Sequence, residues 1–112
     1  MKREIKFRAW DKNKGYFLSH SYVCEFLGDM IMNPKDHIVI MQFTGLKDKN
    51  GVEIYEGDVV LIEVAGLGIQ KCRTEYDEYE QRIVAKYGCS NMKLHSGVEV
   101  IGNVCENPEL IK

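Results

Sequence analysis

The sequence predicts an all-β protein of small barrel or sandwich type, and two observations carry that prediction. Apolar residues recur with period two along most of the chain, whereas helical periodicity is scarce. Turn clusters of Gly, Asn, Asp and Pro interrupt the pattern at roughly 8–12-residue spacing, the rhythm of short strands closing on themselves. With 112 residues, folding buries roughly two-thirds of the extended-chain surface, enough for one domain with a core and no staples.

Taken in order, Ile5, Phe7 and Ala9 alternate with Lys6 and Arg8, which describes a half-buried strand. DKNKG, Asp11 to Gly15, is a turn, and YFLSHSYV reads as the second strand of a hairpin. FLGDMIM, Phe26 to Met32, has the makings of one or two helical turns, interrupted by Gly28. Pro34 in NPKD breaks the chain before the β-branched run Ile38 to Met41. The loop from Thr44 to Gly51 is the natural place for a subdomain boundary, and its Asn50-Gly51 pair signals a hairpin. Val52 to Tyr55, a Gly57-Asp58 turn and the strand Val59 to Ile62 follow. AGLGI makes a further turn, and TEYDEYEQR (residues 74–82) reads as an exposed loop or charged hairpin, with a short helix as the alternative. QRIVAKY and GVEVIGNV alternate again, and ENPELIK ends the chain as a single turn after Pro108.

Fifteen basic and 17 acidic residues leave a net charge of −2. The sequence pI of about 5.9 excludes the whole-domain basic field of a typical nucleic-acid binder. Basic residues nevertheless crowd the first strand. Lys2, Arg3, Lys6, Arg8 and Trp10 form the candidate nucleic-acid surface, in the style of small barrels that combine a basic groove with aromatic stacking. The competing explanation makes Trp10 a core anchor and the cations a solvated face, and bulk acidity favours it. The opening MKREIKFRAW has no apolar run of a signal peptide, and no membrane-length apolar stretch occurs. The expected location is the cytoplasm, with no membrane partner.

Chemical motifs are scarce. The glycines of AGLGI lack a following Lys-Ser/Thr and a helix, so they cradle no phosphate. DKNGVEIYE fails as a calcium loop, since Val52 and Glu53 occupy the third ligand and glycine positions. Cys24, Cys72, Cys89 and Cys105 include no Cys-x-x-Cys pair and read as reduced, mostly buried thiols. His20 and Cys24 stand four apart, the spacing of one helical face, but SHSYVC reads as strand. There is no nucleophile elbow, and the carboxylates of Asp77, Glu78 and Glu80 lie where solvent leaves their acidity untuned. The chain therefore reads as non-catalytic and without cofactor or metal.

Three stretches, IKFRAWDKNKGYF, FTGLKDKNGVEIYEGDVV and VEVIGNVCENPEL, resemble in that order the signature blocks of the YopX family, small proteins encoded largely by bacteriophages and prophages. The central block is the most specific. Leu18 to Ile40 and Glu63 to Ser96 carry no family motif. The resemblance implies barrel-like, partly SH3-like subdomains in the cytoplasm of an infected or lysogenic host. It implies no reaction, and no functional residue carries over. Turn chemistry accounts for each residue type in the central block. The functional alternative is a presented loop that meets a partner through Lys47, Asp48 and Lys49.

The expected role is that of a phage accessory protein that binds proteins or forms a homo-oligomer, with a nucleic-acid-binding barrel as the alternative. Ile38 to Met41 and Val59 to Ile62 are apolar at both parities and need cover on both faces. A symmetric subunit contact would provide it, as would intramolecular cover by residues 26–32 or 74–80.

Overall fold

The computed structural model, which describes residues 5–88 and 90–111, contains nine strands and one helix that packs on the first strand. The strands are β1 (Phe7–Asp11), β2 (Tyr16–Phe17), β3 (Ile38–Lys47), β4 (Glu53–Tyr55), β5 (Asp58–Val64), β6 (Gly68–Asp77), β7 (Arg82–Tyr87), β8 (Ser90–Met92) and β9 (Glu99–Asn103). The helix, α1 (His20–Met32), lies between β2 and β3, and a 3-10 turn (Pro108–Ile111) follows β9. Two antiparallel sheets result, one ordered β2-β1-β3-β4 and the other β8-β7-β6-β5-β9. The fold is all-β and barrel-like, as its alternation predicts. No helix among the described residues is long and apolar enough to cross a membrane.

The five-stranded sheet curls around the main core. Val60, Ile62 and Val64 of β5 meet Cys72, Ala85, Leu94 and Val98, and Ile54 of β4 enters from the first sheet. Burial of each such side chain contributes roughly 1.5–3 kcal/mol. Residues 74–82 form a charged hairpin between β6 and β7, so the helical alternative there does not apply.

The segment after β2 departs from expectation. YFLSHSYV does not continue as a strand, and α1 is 13 residues long rather than one or two turns. Ser19 caps it, its hydroxyl accepting from the Tyr22 N–H at 3.2 Å, a contact that satisfies one of the orphan amides of the first turn. At the other end the Asn33 N–H donates to the Asp29 carbonyl at 2.8 Å, and Pro34 prevents continuation. Capping and the docking of Val23, only 3% exposed, outweigh the β propensity of Tyr22 and Val23 and the glycine at 28.

Of the two doubly apolar strands, β5 finds cover within the chain, whereas Ile38, Val39 and Ile40 of β3 stay half-buried. Val59 is fully buried, and its register partner Gly102 lies under the C-terminal turn. A Cβ at Gly102 would meet Leu110 Cδ1 at 2.8 Å, so glycine is what lets that turn close down. On β3, Met41 is buried beneath Arg8 and the Gly57 corner, while Ile38 lines a groove beside α1. The reason for placing a subunit contact on β5 is thereby removed.

Candidate functional site

Lys6, Arg8 and Trp10 project from one side of β1, and each is used inside the molecule. Arg8 lies between the rings of Phe17 and Tyr55, 4.6 and 4.5 Å from their centroids, where the electron-rich faces attract its charge. Its Nη2 donates to Asp58 Oδ1 at 2.5 Å and its Nε to Met41 Sδ at 3.3 Å. Lys6 pairs with Glu53 and sits over Phe43. Trp10 is 8% exposed and meets Phe17 edge-on at 4.9 Å. Trp10 is thus the core anchor of the competing explanation. Lys6 and Arg8 are ion-paired rather than offered to a phosphate chain. Lys2 and Arg3, the other members of that surface, lie outside the described residues.

Asp58 joins the two sheets. Its Oδ2 accepts from the Tyr55 N–H at 2.7 Å across the Gly57 corner, as an aspartate at a strand start is placed to do. Burial pushes its carboxyl above the ordinary value, outweighing Arg8 and the Tyr55 N–H, which pull it down. Thr74 braces the same corner, donating toward the carbonyls of Tyr55 and Asp58 at 2.8 and 3.0 Å.

The Lys47–Lys49 loop divides by role. Asp48 is buried and turned inward, contrary to a presented contact. Its Oδ1 accepts from the Asn50 and Val52 N–H groups, and its Oδ2 from Val100 of β9. Desolvation raises its pKa, but the N–H groups of Val100, Val52 and Asn50 outweigh it and hold the carboxyl low. Lys49 ties down through its own N–H to the Val98 carbonyl and through Nζ to Glu99 at 3.2 Å. Lys47 is exposed on β3. The central block is therefore a scaffold: a register shift between Phe43 and Lys47, a left-handed turn at Gly51 and a corner at Gly57.

The surface least used by the fold is one that sequence reasoning missed. Only Val23 of α1 is buried, with Leu27 and Met30 half-buried. Tyr22 and Phe26 stack at 4.6 Å, 46% and 39% exposed, and Ile31 and Met32 are exposed beyond them. A groove of about 510 Å³ runs between this face and the β1–β2 hairpin, bordered by Lys14, Tyr16, Asp29, Met30, Lys35 and His37. The signal was in the sequence. Apolar residues at 22, 23, 26, 27, 30 and 31 follow helical spacing behind the Ser19 cap.

Cysteine placement also differs from expectation, since Cys24 is exposed, Cys72 buried and Cys105 intermediate, all as free thiols. Cys89 lies outside the described residues. Among the described residues no three His, Cys, Asp or Glu side chains converge to hold a metal ion.

Comparison with solved structures finds a likeness to protein EF1440 from Enterococcus faecalis, at 24% sequence identity and a TM-score of 0.66. The alignment covers 99% of this chain and 100% of that one, and it shows a shared fold. No curated protein matches the chain. The sequence model of the YopX protein family matches residues 24–112. That span includes the central and C-terminal blocks, while the block IKFRAWDKNKGYF lies ahead of it. On a match that runs from within α1 to the last residue, the chain belongs to the YopX family.

Proposed function

We propose that the protein is a non-catalytic phage or prophage accessory protein of the cytoplasm, and that it works as a homodimer joined through α1. The observation that carries this reading is the stacked Tyr22–Phe26 pair, left open on a helix apolar around most of its circumference. Such a helix is ordinarily covered, and an apolar patch rimmed by charge is the usual mark of a protein contact.

Charge selects a second copy as the cover. α1 carries Glu25 and Asp29 and no Lys or Arg. The groove opposite is bordered by Lys14 and the buried Asp11 of the β1–β2 hairpin and by Lys35 of the α1–β3 connection. Among the described residues, neither Glu25 nor Asp29 ion-pairs with either lysine, and neither lysine has an ion-pair partner among them. Helix-to-groove packing about a two-fold axis sets the carboxylates of each copy against the lysines of the other, the reciprocal arrangement of an isologous contact.

Sedimentation equilibrium tests the reading. Wild type should be dimeric at micromolar concentration. Phe26→Ser should weaken the dimer at least about a hundredfold, because each substitution acts twice and each exposed aromatic forgoes roughly 1.5–3 kcal/mol of burial. A wild-type monomer at ~100 μM, a millimolar-range dimer at best, would refute it. So would a variant that associates as well as wild type. Association with a different protein only would reassign the face to a foreign partner.

A further inference from the structure

We infer that His20 and Cys24 form a two-ligand site for a thiophilic divalent cation of the zinc type, apart from the dimer contact. Because the segment is helix and not strand, residues four apart lie on one face. Cys24 Sγ and His20 Nε2 are 3.3 Å apart. A tetrahedral ion with sulfur at ~2.3 Å and nitrogen at ~2.0–2.1 Å spans about 3.6 Å between those two ligands. The side chains therefore need to open by only a few tenths of an ångström to chelate.

The surroundings suit an exchangeable ion. Both residues are exposed, so remaining coordination positions are available to water. A cleft of about 600 Å³ lined by Ile5, Phe7 and Leu27 opens beside them. The charge of Lys6, on the same cleft, is matched by Glu53. Burial pushes the thiols of Cys72 and Cys105 up, which leaves Cys24 as the better ligand among the described cysteines. Binding replaces the S–H bond by a sulfur–metal bond and releases that proton to solvent.

Titration of the reduced full-length chain with cobalt(II) tests the site. One ion per chain should bind at micromolar concentration with a thiolate-to-cobalt charge-transfer band in the near ultraviolet, and affinity should rise with pH. Cys24→Ala should abolish the band. His20→Ala should weaken binding by at least the 10–100-fold typical of losing even an outer-shell partner. Zinc should shift the ring-proton resonances of His20 and leave those of His37 and His95 in place. Far-ultraviolet circular dichroism verifies that both variants, at exposed positions, keep the fold. A band that survives Cys24→Ala, a zinc-insensitive His20 ring or the absence of cobalt binding at millimolar concentration would overturn the assignment.

Discussion

Replacing Arg8 by methionine should destabilise the fold by about 3–5 kcal/mol, the cost of leaving a buried carboxylate without its countercharge. Against a total stability of roughly 5–15 kcal/mol, that loss should be plain in a urea melt followed by the emission of Trp10. Methionine retains the apolar contact with Phe17 and Tyr55, so the loss isolates the charge. The double variant Arg8→Met with Asp58→Asn should recover most of it, because asparagine still accepts from the Tyr55 N–H and carries no charge to strand. The pH dependence has a definite sign. The Asp58 carboxyl is raised in the folded state, so its contribution is fully present below the unfolded value of about 3.9 and is lost as pH rises through the folded value. The penalty of Arg8→Met should accordingly shrink on acidification, as Asp58 takes up a proton. A penalty independent of pH, or a double variant no better than the single, would show that Arg8 acts by packing alone.

Asp48→Ala should cost about 2–4 kcal/mol, since it orphans three backbone N–H groups that now bond a charged oxygen. The Asn50 and Val52 donors shape the loop, and Val100 anchors it to β9, so the loss unties the β3–β4 turn from the second sheet. Asp48→Asn should fall between alanine and wild type. Here the folded-state pKa is lowered. The contribution is therefore present above the unfolded value of about 3.9 and is lost as pH falls through the lower folded value. Melts at a series of acid pH values should show the gap between wild type and Asp48→Ala narrowing over this window. Parallel curves for the two proteins would remove Asp48 from its anchoring role.

What could be read from the sequence was local. Asp11 in DKNKG accepts from the Asn13 and Lys14 N–H groups at 2.9 and 3.1 Å, and Gly15 turns with positive φ, as a hairpin corner requires. The charged hairpin of residues 74–82 and the buried run of β5 were likewise written in their neighbours. Alternation placed Arg8 opposite Phe7 and Ala9, which is correct, but it named that side solvent. The period of a strand assigns a face and cannot say what lies over it. Here the cover is Phe17, Tyr55 and Asp58, the last of them 50 positions away. The helix was lost for a different reason. Tyr22 and Val23 close a segment of strand-like composition, and Gly28 weakens the other half, so neither half reads as helix alone. Its stability rests on a cap and on Val23 docking against the sheet, both outside what propensity measures. With α1 went the groove, the aromatic pair and the His20–Cys24 juxtaposition.

In the proposed dimer, one copy's α1 enters the groove of another, acid against base. Two charge-reversed chains test it most directly: Glu25→Lys with Asp29→Lys, and Lys14→Glu with Lys35→Glu. Each alone sets like charges together and should sediment as a monomer, whereas an equimolar mixture restores both opposite-charge contacts and should form a one-to-one heterodimer. Two variants that remain dimeric alone, or that stay monomeric when mixed, would contradict the account.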